Sequence, residues 1–216
     1  MGHIDLATPV AHIWFLRSIP SRIGLLLDLS VNELERVIYY SGYIIVRIDE
    51  EKREMLLKNL EKEFKAKAKE AASKSDTARL KEAADKTRKE IKSLSLYQIL
   101  NEIEYHRFSL KYGEVFEAGI GAEALYEIFK ELDLNAIKEK LSVKLQKEDD
   151  VQQKKNTIVK FNLVNSLIVS GIKPEWMFLK VIPVIPPALR PIVPLDGGRH
   201  AASDVNDLYR RVINRN

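Results

Sequence analysis

The sequence contains no cysteine. This absence excludes disulfide bonds, thiolate nucleophiles and every zinc or iron–sulfur site built on cysteine ligands. Histidine is also scarce, because His3, His12, His106 and His200 are the only four in the chain. Glycine-rich phosphate loops, nucleophile elbows and His-Glu-x-x-His motifs are absent as well. The sequence therefore predicts no catalytic centre of its own.

Long apolar runs are also lacking. Crossing a membrane takes about 20 consecutive apolar residues, and the nearest stretch, residues 161–172, carries two Asn and two Ser. The first residues lack the basic flank and the apolar core of a signal peptide. We therefore expect a cytoplasmic protein with no membrane partner.

The composition is typical of a chain that folds into a globular structure. It has 216 residues, of which 45% are hydrophobic and 31% charged, with 9 Gly and 8 Pro, so it forms one large domain or two small ones. The net charge of +4 arises mostly from residues 49–92, and bulk charge therefore says nothing about nucleic acid. Any such contact must be local.

Local patterns predict a mainly α fold with short β segments, an α+β protein. Ser30 and Glu33 form a capping box before a helix, and β-branched residues after Gly42 favour a strand. Gly171 ends an apolar helix, and five prolines in 181–194 exclude a helix interior or a central strand, which leaves an ordered, extended loop. The predicted helices are 31–40, 134–148, 205–216 and two amphipathic segments around 125–132 and 158–167; the predicted strands are 43–48 and 176–182.

Residues 49–95 differ from the rest because Lys, Glu and Ala dominate and Phe64 is the only aromatic residue. They predict two helices, 52–72 and 78–94, with a turn at 73–77, which form an exposed antiparallel hairpin. The hairpin is either a partner-binding arm or a solvated insertion, and we favour the second interpretation. Its few apolar residues would form only a thin seam, with Met55, Leu56, Leu60 and Phe64 opposite Leu80, Ala84 and Ile91. We therefore expect the rest of the chain to fold without it.

Two groups of residues invite a metal-site interpretation. Glu102, Glu104 and His106 lie close together in sequence, but on a helix we expect these spacings to scatter them around the axis. His3 and His12 lie among apolar and aromatic residues, where core or capping histidines are common. We expect no metal site in either group.

The last 30 residues are more informative. A proline-stiffened loop ends in Asp196-Gly197-Gly198-Arg199, and a helix follows whose arginines suit a phosphate or an acidic partner. The alternative is a surface helix with solvated arginines, and the residues alone leave both open. An apolar stripe comprises Val205, Leu208, Tyr209 and Val212, while Asn206, Arg210 and Asn214 share another face.

The same residues resemble a known family. The relevant stretches are PVIPPALRPIVPLDGGR at 183–199 and SDVNDLYRRVINRN at 203–216, together with GHI at 2–4, AHIWF at 11–15, PSRIGLLLD at 20–28 and PEWM at 174–177. In this order they resemble the beta-prime (largest) subunit of bacterial multisubunit RNA polymerase. The departures are Ala188 where Asp is usual, His200 for Phe, Ala202 for Thr and Val205 for Leu.

The resemblance implies that the chain is part of a longer subunit and contributes the clamp region. It implies clamp body at 1–48 and 96–182, a charged helical-hairpin insertion at 49–95, the lid loop at 183–204 and the start of the clamp helices at 205–216. The implied partners are the beta, alpha and omega subunits, sigma factor, DNA and RNA. The zinc and magnesium of a complete subunit would be bound outside this chain.

The resemblance also implies two sets of site residues, and neither is catalytic or metal-binding. The lid would contact nucleic acid at the upstream end of the RNA–DNA hybrid, and the last helix would begin the hairpin that docks sigma. The alternative is a self-standing helical interaction module. The implied lid residues are Arg190, Asp196, Gly197, Gly198 and Arg199; the implied sigma-binding residues are Asn206, Tyr209, Arg210, Arg211, Asn214 and Arg215.

Overall fold

The computed structural model describes residues 2–70, 74–148 and 150–216, without the side chains of 67–70 and 74–78. The chain forms two compact units. The first joins Met1–Ile19 to Leu132–Asn216, and the second is Pro20–Glu131. Helices predominate over short strands, so the predicted α+β class is confirmed. The predicted insertion and clamp assignments stay predictions.

The second unit surrounds a three-stranded antiparallel sheet of order β3-β2-β4. Buried Ile44 and Ile45 lie on the central strand, which has the predicted bounds. Its strands are β2 (Tyr43–Ile48), β3 (Ile99–Leu100) and β4 (Phe116–Gly119). Its helices are α2 (Arg22–Leu27), α3 (Val31–Ile38), α4 (Glu50–Glu70), α5 (Lys74–Ser93), α6 (Glu102–Tyr112) and α7 (Gly121–Glu131).

Helix α3 begins as predicted. The Ser30 Oγ accepts from the Glu33 main-chain N–H, and the Glu33 carboxylate accepts from the Ser30 N–H at 2.8 Å. The Ser30 hydroxyl also donates to this carboxylate, at 2.7 Å. The two bonds that the carboxylate accepts, from the Ser30 hydroxyl and from the Ser30 N–H, lower the pKa of Glu33 below its ordinary value, because they favour the charged form. The helix ends at Ile38, two residues before the predicted end.

The helical pair α4 and α5 corrects two expectations. Because α5 begins at Lys74, residues 74–77 are helical rather than part of a turn, and Ser73 lies outside the described residues. The base of the pair also joins the core: Ile91 and Leu94 are each 1% exposed and belong to the buried cluster under the sheet, against which Leu56 and Leu57 pack. The expectation of a thin seam apart from the body is therefore wrong at this end.

The predicted seam does exist farther along the pair. Leu60 and Phe64 of α4 and Leu80 and Ala84 of α5 line a cavity of about 160 Å³. Met55, which the sequence also placed in the seam, is 60% exposed. The buried side chains of the α4–α5 pair are therefore concentrated at the end near the sheet.

Among its described residues, the first unit combines four α-helices with two small antiparallel sheets. One sheet pairs β1 with β5, the other pairs β6 with β7, and α8 packs on α9. Its strands are β1 (Gly2–Ala11), β5 (Phe178–Val184), β6 (Ile192–Pro194) and β7 (His200–Ala202). Its α-helices are α1 (Ile13–Leu16), α8 (Leu134–Lys147), α9 (Val151–Ser170) and α10 (Asp204–Arg215), and its 3-10 helices are Pro174–Met177 and Pro187–Leu189.

Capping residues mark the helix boundaries in this unit. The Asp133 carboxylate accepts from the Asn135 and Ala136 N–H groups and begins α8. Gly171, with φ +66°, ends α9. Ser203 occupies the N-cap position of α10 without a side-chain bond.

Two predictions near the prolines are wrong in their bounds. Residues 174–177 form a 3-10 helix, so the strand begins at Phe178 rather than at residue 176. The strand then continues to Val184 through Pro183. Proline is tolerated there because β5 is an edge strand, whose only partner among the described strands is β1. The proline-rich segment therefore contains a strand end, a 3-10 turn and β6.

The histidine and carboxylate predictions have mixed outcomes. His12 is a capping histidine, whose Nδ1 accepts from the Trp14 N–H at 3.1 Å, whereas His3 is exposed. Glu104 caps its own helix through the Asn101 N–H, but His106 and Glu102 lie 4.0 Å apart. The expected scatter is therefore wrong for this pair, because residues four apart share a helix face.

No helix in the described part of the chain is both long and apolar enough to cross a membrane.

Candidate nucleic-acid and partner interface

The predicted loop is built around a β-hairpin. Ile192, Val193 and Pro194 of β6 pair with Ala202, Ala201 and His200 of β7. The Leu195 N–H closes the turn by donating to the Arg199 carbonyl at 2.7 Å. Two successive residues in the turn have positive φ, Gly197 at +81° and Gly198 at +77°. Because side chains are strained in this conformation, the Asp-Gly-Gly-Arg motif suits the turn.

This hairpin projects its side chains into solvent. Every residue from 191 to 202 is exposed, including Ile192 at 62% and Leu195 at 52%. Asp196 and Arg199 flank the two glycines at the tip. Among the departures, His200 pairs with Pro194 at the first step of the ladder and Ala202 pairs with Ile192 at the last. An unpacked hairpin with a cationic residue at its tip suits an anionic or apolar partner.

The ends of this loop are held together by Arg190 and Asn206. Arg190 donates from Nη1 to the Asn206 Oδ1 at 2.9 Å, and Asn206 donates from Nδ2 to the Arg190 carbonyl at 3.1 Å. Arg190 also donates from Nε to the Ile185 carbonyl at 3.0 Å. The guanidinium is therefore engaged within the protein through two of its nitrogens.

Tyr209 completes this network from the next turn of α10. Its hydroxyl donates to the Pro183 carbonyl and accepts from the Ile185 N–H, both at 3.2 Å. The Arg190 guanidinium carbon lies 5.7 Å from the centre of its ring, within cation–π range. We call Arg190, Asn206 and Tyr209 the latch. The structure thus brings together one predicted lid residue and two predicted sigma-binding residues.

Two arginines of α10 share one carboxylate. Asp207 Oδ1 accepts from the Arg210 Nη2 at 2.6 Å, and Asp207 Oδ2 forms an ion pair with the Arg211 Nε at 2.7 Å. Asn214 and Arg215 are exposed in the last turn. The helix therefore presents a polar surface on which the two paired arginines are oriented by Asp207.

The predicted apolar stripe of α10 is only partly covered. Val205, Tyr209 and Val212 are half-buried, whereas Leu208 is 57% exposed and Ile213 is 59% exposed. Leu208 therefore lies outside the covered part of the stripe.

Asn216 makes a contact that the sequence did not predict. Its Oδ1 accepts from the Ala7 N–H and its Nδ2 donates to the Asp5 carbonyl, both at 2.6 Å. These peptide groups lie where the β1–β5 register shifts between Asp5 and Val10. The Asn side chain thus bonds with main-chain groups at the point where the ladder is interrupted.

Metal binding has no support in the residues described. They contain no group of three or more His, Asp or Glu side chains that could hold an ion, and the chain has no cysteine.

A sequence profile described as RNA polymerase Rpb1, domain 1, matches residues 1–216. The chain belongs to this family.

Curated members of this RNA polymerase family match along the whole chain. The DNA-directed RNA polymerase subunit beta' of Thermodesulfovibrio yellowstonii is 44% identical over 216 residues, 100% of this chain and 13% of the relative. Those of Dehalococcoides mccartyi and Caldanaerobacter subterraneus subsp. tengcongensis are 41% and 43% identical, again over 100% of this chain, and it covers 19% and 15% of them. The chain thus spans about 13–19% of the length of these relatives.

The sequence predicted the residues at the hairpin tip. It did not predict the hydrogen bonds among the latch residues or the contact of Asn216 with β1. A signal for β1 was present, since Ile4 and Leu6 alternate with polar or small residues and are among its less exposed side chains. No local signal indicated that Arg190 would bond with Asn206, because the hairpin separates them in sequence.

Proposed function

We propose that this chain is part of the largest subunit of a DNA-directed RNA polymerase and acts in DNA-templated transcription as a nucleotidyltransferase component. The observation that carries the proposal is the match to beta' subunits over 100% of the chain. The cytoplasm is the expected location, and the beta, alpha and omega subunits are the expected protein partners. Within the subunit the chain would contribute clamp surface.

The hairpin β6–β7 is proposed as the lid at the upstream end of the RNA–DNA hybrid. Its exposure and its glycine turn support this role, since a narrow, unpacked projection can enter the space between two strands. Asp196, Gly197, Gly198 and Arg199 form the tip. A guanidinium there gives charge-assisted hydrogen bonds to phosphate.

Helix α10 is proposed as the start of the sigma-docking hairpin. Arg210, Arg211, Asn214 and Arg215 supply exposed donors, and Leu208 adds exposed apolar area beside them. Guanidinium groups next to a small apolar patch suit an acidic or mixed protein surface.

The metals of a complete subunit do not fit the residues that the structure describes. With no cysteine and no cluster of three or more His, Asp or Glu among the described residues, neither zinc nor the catalytic magnesium has a site built from them. Both would be bound by residues elsewhere in the subunit. This chain's own residues would hold nucleic acid and partner proteins and take no part in the bond-making step.

The lid proposal is tested by Arg199→Ala in the complete subunit, assembled as polymerase on a nucleic-acid scaffold. We expect shorter complex lifetimes and a slope of log lifetime against log salt reduced by about 1, because one phosphate contact is lost. Lys155→Ala, which removes a charge from α9, is the control and should leave the lifetime unchanged. Equal lifetimes for Arg199→Ala and the control at every salt concentration would contradict the lid proposal and favour a helical interaction module.

A further inference from the structure

The latch closes the hairpin loop at its base. Arg190 precedes β6 and Asn206 follows β7, so their reciprocal hydrogen bonds of 2.9 and 3.1 Å join the two ends of the loop. The Nε bond to the Ile185 carbonyl then ties this closure to the end of the proline-rich turn. The base of the hairpin is therefore fixed by side chains as well as by its own short ladder.

The same closure is attached to α10. Asn206 and Tyr209 lie three residues apart on one face of the helix, and between them they contact the Arg190 side chain and carbonyl, the Pro183 carbonyl and the Ile185 N–H. All three latch side chains are partly buried, which strengthens such bonds relative to exposed ones. A shift of α10 must therefore break these bonds or move the hairpin.

We propose that Arg190, Asn206 and Tyr209 are positioning residues that fix the direction of the β6–β7 hairpin relative to α10. Their side chains then face each other rather than a ligand, unlike the nucleic-acid and sigma contacts that resemblance implied for them. The inference deepens the proposed function and rests on it for its consequence: a partner on α10 would bias the direction of the tip, and nucleic acid at the tip would bias α10 by the same coupling free energy.

The chain itself allows a direct test, because it has no cysteine. Asp196→Cys at the tip and Asn214→Cys on α10 place two spin labels at unique exposed sites, and pulsed electron paramagnetic resonance gives the distribution of distances between them. Into this labelled chain we would introduce Asn206→Ala, which removes the reciprocal bonds, and Tyr209→Phe, which removes only the hydroxyl bonds. Ile213→Ala, at an exposed position on the same helix, is the control.

We expect Asn206→Ala to broaden the distance distribution by about twofold or more, since freeing the base exposes the hairpin to local motion. Tyr209→Phe should broaden it less, and the control should leave it unchanged. Hydrogen exchange of α9 amides checks that the unit is folded. If the Asn206→Ala variant does not fold, the width of the distance distribution in the Tyr209→Phe variant decides the question.

An unchanged distribution in the folded variants would overturn the proposal. The measurement needs neither nucleic acid nor sigma, so its failure is distinct from failure of the proposed function. The distance distribution could broaden while the Arg199→Ala polymerase keeps an unchanged complex lifetime. That result would support the positioning role of the latch and contradict the lid role of the hairpin.

Discussion

Arg53 donates from Nη2 to the main-chain carbonyl of Leu94 at 3.1 Å and so joins the start of α4 to the residue after α5. The same nitrogen donates to the Lys92 carbonyl at 2.9 Å, and Nη1 donates to the Glu50 carboxylate at 3.0 Å. The Arg53 side chain is only 16% exposed. One guanidinium therefore satisfies carbonyls at a helix end that have no partner within the helix.

Replacing this arginine should destabilise the second unit. We expect Arg53→Ala to lower the free energy of unfolding by about 1.5–3 kcal/mol, because charged hydrogen bonds to partly buried carbonyls are lost. Urea unfolding followed by circular dichroism measures the change. Lys58→Ala is the control, since its only described ion pair joins two side chains more than 70% exposed, and it should change stability by less than about 0.5 kcal/mol. Equal effects would show that the carbonyl bonds contribute nothing.

Truncating Ile91 should be more costly than truncating an apolar residue farther along the same helix. Ile91 is 1% exposed and contacts the buried cluster, so Ile91→Ala should cost about 2–4 kcal/mol. Leu80→Ala removes a similar volume from the half-buried seam and should cost less than half as much. Urea midpoints for the two variants, at unchanged slope, give the comparison. Similar losses would mean that the seam stabilises the unit as much as its base does.

The contrast between Ile91 and Leu80 shows where sequence reasoning stops. Lys, Glu and Ala at 49–95 correctly predicted two helices, because propensity and charge patterning are local. Which few apolar residues reach the body depends on long-range packing against β2 and α6, and composition carries no such information. The expectation that the chain would fold without this segment rests on its apolar residues forming only a thin seam. That premise is wrong, since Ile91 and Leu94 belong to the buried cluster, whereas folding without the segment stays a prediction.

The candidate site shows the same division. The turn at Gly197 and Gly198 was predictable, because a local conformation with positive φ favours glycine. The bond between Arg190 and Asn206 was not, since the sequence gives the residue types but not their distance. Both residues were accordingly assigned to ligands rather than to each other.

Tyr112 should make the second unit sensitive to alkaline pH. Burial, followed by the hydrogen bond to the Glu90 carboxylate and its charge, raises the pKa of Tyr112 to about 12 from an ordinary 10.0. Below pH 10 the phenol is neutral in both states, so stability is retained; as pH rises from 10 to 12 the unfolded state ionises first and stability falls. A shift of this size corresponds to roughly 2–3 kcal/mol.

Denaturant unfolding at a series of pH values tests this expectation. Tyr112→Phe removes the ionisable group and should flatten the fall above pH 10, although it also removes the 3.1 Å bond to Glu90 and lowers stability at neutral pH. Tyr105→Phe, on the same helix, is the control, because it removes a tyrosine hydroxyl and keeps the ring that stacks on Tyr43. The fall caused by Tyr112 should remain in this variant. Identical profiles for the unsubstituted chain and Tyr112→Phe would assign the alkaline loss to other groups.

Asp207 should restrain the affinity of α10 for an acidic partner. Its carboxylate pairs with Arg210 at 2.6 Å and Arg211 at 2.7 Å, and it therefore offsets part of their charge. In the complete subunit, Asp207→Asn should tighten sigma binding by about 0.5–1 kcal/mol, mainly through a faster association rate, with a steeper dependence on salt. Equilibrium titration of labelled sigma at several salt concentrations gives the affinity and its salt dependence. Rapid mixing of the same components gives the association rate.

Asp204→Asn is the matched control, because it makes the same change in net charge within the first turn of α10. Removing an acidic residue from the first turn weakens a helix, so circular dichroism must show equal helix content in the two variants. If only net charge mattered, the two substitutions would accelerate association equally. A larger effect of Asp207→Asn assigns it to the release of Arg210 and Arg211, whereas equal effects would contradict that assignment and make the paired arginines incidental to partner binding.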